Sequence, residues 1–180
     1  MAINDLQGKF LHELGDIYDA EHQFLKAQQD MLSQAGDPAL RELISNHIEQ
    51  TRRQIHNVEQ AFRALGQEPK RVMCDGAKGI VSEGQKLVRE VADRPELCDA
   101  AIAAAAAKVE HYEIATYRGL ITGAEIMGQR EVVSLLQQNL EQEESTARLI
   151  EQAEPQLLRR AMGDRPPTGR SDYSQASPTY

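Results

Sequence analysis

The sequence has no tryptophan, three phenylalanines and five tyrosines. Stacking platforms for single-stranded nucleic acid need aromatic faces, and too few are available to build one. Basic residues are in deficit, with 20 Lys and Arg against 28 Asp and Glu and a formal net charge of −8. A chain so acidic repels phosphate backbones and anionic bilayers, so neither a nucleic-acid nor a membrane partner is expected. Cysteine is scarce: Cys74 and Cys98 form no CxxC pair, which excludes a dense disulfide framework and a cysteine-based zinc site. A reducing compartment, the cytoplasm, fits that usage. Long apolar runs are missing too. The longest, residues 100–107, is far too short to span a bilayer, and the N-terminus lacks the basic and apolar regions of a secretory signal. No Gly-rich phosphate loop or nucleophile elbow occurs, and no stretch alternates with a period of two.

What remains is helical periodicity. Residues 5–35 place Phe10, Leu14, Ile17, Phe24 and Met31 at spacings of three and four, and predict one long helix. Gly36-Asp37-Pro38 stops it, with Asp37 and Pro38 suited to cap and open a second helix over 38–65. A shorter helix is expected near 73–91, loosened by Gly76, Gly79 and Gly84. Long helices follow over 95–127, rich in alanine, and 130–161. Four long helices, two tight turns and one long connection predict an all-α, antiparallel four-helix bundle with a crossover carrying a short fifth helix. The expected organisation is a bundle over 1–162 and a disordered tail over 163–180, where Pro, Ser and Gly replace aliphatics.

Each long helix carries polar interruptions on its apolar stripe. They are Glu21 on the first, His47, Thr51 and Gln54 on the second, Glu110, Glu113 and Tyr117 on the third, and Asn139, Glu143 and Thr146 on the fourth. Glu21 and Gln54 are 33 positions apart, as are Glu110 and Glu143, and the sequence reads as two copies of one helical hairpin. Antiparallel packing brings these four residues to one level of the bundle. Converging carboxylates must protonate, pair or bind metal, because burying an unpaired charge costs several kcal/mol. Inward-facing carboxylates from both hairpins are how bundle proteins hold two iron or manganese ions. The competing reading for any single Glu is an ion pair at a helix edge.

The segments Asp16–Glu21 (DIYDAE), His47–Gln54 (HIEQTRRQ), Lys108–Tyr117 (KVEHYEIATY) and Leu135–Glu144 (LLQQNLEQEE), with Cys74, resemble the YciE/YciF family of bacterial stress-associated ferritin-like proteins. The resemblance spans about residues 5–155. It implies a five-helix ferritin-like fold, a homodimer built partly on the helix near 73–91, and a di-metal site. Carried over residue by residue, it implies ligands Glu21, Gln54, Glu110 and Glu143, with Glu113 one turn from Glu110. Ile80, Leu87 and Val88 are the side chains expected to face the partner subunit.

A ferritin-type site also wants Glu-x-x-His on the second and fourth helices. Here those pairs read Gln54-x-x-Asn57 and Glu143-x-x-Thr146, and Gln50 and Ala147 stand where relatives often carry acids. His47 reads as a core or capping histidine, although His47 and Glu49 lie within a turn or two of the level and are candidates to replace the missing imidazole. Three functions follow. One is a ferritin-like stress protein with a carboxylate-rich di-iron or di-manganese site, handling iron, oxygen or peroxide. Another is a non-catalytic structural or interaction protein with a degenerate site, and a cargo or adaptor function of the C-terminal tail stands as a third.

Overall fold

The computed structural model describes residues 3–163, in five helices: α1 (Leu6–Gln34), α2 (Pro38–Ala64), α3 (Asp75–Glu90), α4 (Pro95–Ile126) and α5 (Arg130–Met162). The first two helices start at side-chain caps. The Asp5 carboxylate accepts from the Gly8 N–H at 2.6 Å, and Asp37 accepts from Leu40 N–H at 2.9 Å with Pro38 in the first turn. Gly66 and Gly128 end α2 and α4 at φ of 69° and 70°, a backbone that side chains with a Cβ rarely adopt. The expected tail lies outside the described residues but for Gly163.

Contacts fix the direction of every neighbouring pair. Residue 28 meets 51 and residue 18 meets 59 across α1 and α2; 34 meets 98 and 16 meets 112 across α1 and α4; 47 meets 146 and 57 meets 139 across α2 and α5; 118 meets 144 and 111 meets 151 across α4 and α5. Higher numbers on one helix always pair with lower numbers on the other, so all four seams are antiparallel. The α2–α4 connection therefore runs the length of the bundle, and α3 rides on it against α1 and α4. This is the ferritin-like bundle with a long crossover that the sequence predicts.

Two of the three glycines of α3, Gly76 and Gly84, act as spacers rather than breakers. A Cβ on Gly84 would come within 2.9 Å of the Ala105 Cβ, and one on Gly76 would meet the Tyr112 ring at 2.9 Å. Helix α3 thus lies close on α4. This corrects one expectation about its outer face. Val88 is buried in the chain's own core and Ile80 packs half-buried against it, which leaves Leu87 exposed.

The apolar core falls into two blocks. One gathers Phe10, Leu14, Phe24, Val58, Leu120 and Leu136. The other gathers Met31, Leu40, Ile44, Ile102 and Ile150. Between them lies a layer of buried polar side chains. Among the described residues no helix is long and apolar enough to cross a membrane.

Candidate metal centre

The polar layer is built from all four long helices. It contains Glu21 from α1, His47 and Gln54 from α2, Glu110, Glu113 and Tyr117 from α4, and Asn139, Glu143 and Thr146 from α5, every one buried. Helical spacing puts each on its stripe between large apolar neighbours, as with Glu21 between Ile17 and Phe24. Their depth is a property of the stripe; their meeting is a property of the register between helices.

His47, Glu110, Glu113 and Glu143 each offer one ligand atom, and these four atoms lie within 4.8 Å of one another. His47 Nε2 is 3.1 Å from Glu110 Oε1 and 3.9 Å from Glu143 Oε2. The 3.1 Å approach is a close contact without hydrogen-bond alignment, since Nε2 has no bonded partner among the described residues. Glu21 Oε2, Glu110 Oε2, Glu113 Oε2, both Glu143 oxygens and both amide atoms of Gln54 are likewise buried without a partner.

Glu21 and Gln54 border this group. Glu21 Oε1 accepts the Tyr117 hydroxyl, and Tyr117 in turn accepts from Asn139 Nδ2 at 2.9 Å. Asn139 also donates to the Gln54 carbonyl at 3.2 Å and accepts from Asn57 at 2.8 Å. Gln54 faces Glu143 closely enough to pull its pKa down.

Burial is the first cause that raises all four carboxyl pKa values. Repulsion from Glu143 adds to it at Glu21 and Glu113, and repulsion from Glu110 adds to it at Glu143. Glu110 is pushed up to about 7 by burial, with the neighbouring Glu143 carboxyl opposing the rise and repulsion from Glu21 adding to it. Burial, then the acids around it, also drives the Tyr117 hydroxyl upward. Among the described residues His47 is the one basic side chain acting on these acids.

The structure thus brings Glu21, Gln54, Glu110, Glu113 and Glu143 into one layer, as the sequence places them, and adds His47 at its centre. Glu49 stays outside, exposed and paired with Arg52. Gln28, hydrogen-bonded in the core to Thr51 at 3.1 Å, is a further buried polar residue; it stands on the same stripe of α1, four positions after Phe24 and three before Met31, so the spacing that marks Glu21 marks it too. A small apolar-walled cavity lined by Phe24, Met31, Ile44 and Ala106 reaches His47 and Glu110. A more polar groove on the α2–α5 seam opens over Gln50 and Thr146.

The donor set suits a hard divalent ion: carboxylate oxygens with one imidazole, in a layer short of protein cations. The site chemistry and the orphaned buried atoms therefore fit the metal that a ferritin-like fold implies.

Residues 5–162 match the family described as Domain of unknown function (DUF892), and the chain belongs to that family. It is 35% identical to Protein YciF of Escherichia coli (strain K12) over 147 residues, covering 81% of this chain and 88% of the relative. Superposed on the crystal structure of the E. coli stress protein YciF, it gives a TM-score of 0.81 at 32% identity, over 87% of this chain and 98% of that one. YcfI from Rhodopseudomonas palustris, proposed to be a structural protein, also gives 0.81, at 38% identity over 83% and 94% of the two chains.

Proposed function

We propose that this DUF892 member is a ferritin-like metalloprotein whose core layer holds two iron or manganese ions. The observation that carries the reading is the convergence of His47, Glu110, Glu113 and Glu143 within 4.8 Å, with carboxyl oxygens left unpartnered in a buried layer. Glu21 and Gln54 would extend the donor set toward a second ion. The charges agree: Glu21, Glu110, Glu113 and Glu143, once ionised, balance two divalent cations. Ions of this kind supply redox chemistry toward iron, oxygen or peroxide. The chain's own residues would hold and orient them. Tyr117 fixes one oxygen of Glu21 and leaves the other free, and the flanking apolar blocks keep bulk water from the layer. The name of the E. coli relative, a stress protein, supports a role under stress.

The same reading places the chain in the cytoplasm, as a homodimer through the α3 region, where Met73 and Leu87 are exposed apolar side chains. It assigns residues 1–162 to the bundle and 163–180 to a tail outside it, with no nucleic-acid or membrane partner.

A structural role is the second reading. Asn57 and Thr146 stand where a ferritin-type site has imidazoles, and both are engaged in hydrogen bonds, to Asn139 and to Gln50. The deciding experiment is anaerobic titration of metal-free protein with Fe(II) and Mn(II), read by calorimetry and by metal analysis after desalting. Two equivalents retained by the wild type, and loss of binding in Glu143→Gln, support the metal reading. Failure of both ions to bind leaves the structural one.

A further inference from the structure

His47 contributes the one imidazole of the layer, and a neutral imidazole carries its proton on one nitrogen only. Which nitrogen holds it decides what the acids see. Nδ1 lies 3.1 Å from Gln50 Oε1. Thr146 Oγ1 donates to the same Gln50 oxygen at 3.1 Å and stands 3.4 Å from Nδ1. An amide oxygen has no proton to give, so at this contact Nδ1 is the donor. The opposite nitrogen, Nε2, faces Glu110 and Glu143 and makes no aligned hydrogen bond. An Nε2–H would be expected to line up on the carboxylate 3.1 Å away.

We infer that Gln50 and Thr146 are positioning residues that keep the proton of His47 on Nδ1, so that Nε2 is the nitrogen presented to the acid cluster. The purpose of this arrangement rests on the metal reading; its geometry does not. It gives Gln50 a role. Standing one turn from His47, half-buried on the α2–α5 seam, it supplies the acceptor that a ligating histidine needs behind it. The Thr146 hydroxyl occupies the second lone pair of that acceptor and ties it to α5. With its oxygen toward the ring the amide accepts from both Nδ1 and the Thr146 hydroxyl, whereas the reverse orientation would present its NH2 to Nδ1 and move the ring proton to Nε2.

The test uses full-length protein with 15N-labelled histidine, its His47 signals assigned by His47→Gln, and long-range 1H–15N spectra of the metal-free state at about pH 8.5, above the ordinary histidine range. The wild type is expected to show a protonated Nδ1. Gln50→Leu should move the neutral ring toward the Nε2–H form and weaken Mn(II) binding 10- to 100-fold, the usual cost of losing such a partner. Gln50→Glu, which keeps an acceptor oxygen, should restore the Nδ1 proton. Thr146→Val supplies the same comparison should Gln50→Leu not fold, and Thr146→Ser should behave as wild type. A bare Nδ1 in the wild type, or a tautomer that neither Gln50→Leu nor Thr146→Val disturbs, overturns the inference. A wild type that keeps the Nδ1 proton under Gln50 control yet binds no Mn(II) upholds it, and counts against the metal reading alone.

Discussion

Asn139 on α5 donates a 2.9 Å hydrogen bond to the hydroxyl of Tyr117 on α4, and that hydroxyl gives its own proton to Glu21 on α1. Three helices are thus joined by one tyrosine oxygen at the edge of the acid layer. The bond to Glu21 favours the ionised carboxyl and opposes the effect of burial.

Tyr117→Phe removes both partners' bonds without opening a large cavity. We expect a loss of about 1–3 kcal/mol, the cost of leaving a buried donor or acceptor unsatisfied, measured by urea denaturation. A loss near zero would mean that water replaces the hydroxyl.

The pH dependence of the metal-free protein has a definite sign. Burial and mutual repulsion raise the folded-state pKa of Glu21, Glu110, Glu113 and Glu143 above that of the unfolded chain. The folded state therefore holds extra protons. Its stability is complete below the unfolded pKa of about 4.3 and falls as pH rises through the folded values, about 7 for Glu110. Thermal unfolding should show a decline between pH 5 and pH 8, at up to about 1.4 kcal/mol per pH unit for each titrating group. Glu110→Gln should flatten the decline and stabilise the metal-free protein near pH 8. A profile that rises over this range would show that the acids are ionised and paired in the fold.

Metal should reverse the decline. A ligand bound only by the native state at a hundredfold excess over Kd adds about 2.7 kcal/mol, or roughly 5–11 °C for a domain of this size. Differential scanning calorimetry with Mn(II) at pH 7.5 should show the shift in wild type and lose it in Glu143→Gln. Equal shifts in both proteins would place the ion elsewhere.

Two glycines of α3 should respond oppositely to alanine. Gly→Ala in a helix interior gains up to about 1 kcal/mol. At Gly79 nothing lies within 4 Å of the added Cβ, so Gly79→Ala should stabilise by about that amount. At Gly84 the new methyl meets the equally rigid Ala105 methyl at 2.9 Å. Overpacking costs about 1–3 kcal/mol and outweighs the propensity gain. Denaturant midpoints of the two variants check the contrast.

If the α3 region joins two copies, Leu87→Glu should convert a dimer to a monomer in light scattering at micromolar concentration, with helicity unchanged. A monomeric wild type would remove the dimer from the functional reading.

Much of this architecture was legible in the residues. Predicted helices over 38–65 and 95–127 correspond to Pro38–Ala64 and Pro95–Ile126, because Asp37-Pro38, Gly66, Arg94-Pro95 and Gly128 punctuate the chain chemically. The burial of Glu21, Gln54, Glu110, Glu113 and Glu143 was legible for a related reason: a polar residue on an apolar stripe goes where the stripe goes. The fate of Val88 was not, since a short glycine-rich helix can turn either face inward until spacers such as Gly84 set how closely it lies on α4.

Periodicity along one chain determined which residues enter the core and at roughly what height. Only the tertiary structure decided which of them meet. His47 and Glu49 are two positions apart on α2, and only His47 stands on its apolar stripe, so the sequence places the imidazole inside without saying which acids it meets. The rotation of α2 against α4 and α5 turns His47 inward to within 3.1 Å of Glu110 and leaves Glu49 in solvent with Arg52. That rotation is set by the packing of Ile44, Ile48, Ile55 and Val58 into the neighbouring helices, a sum over many side chains that no local motif records.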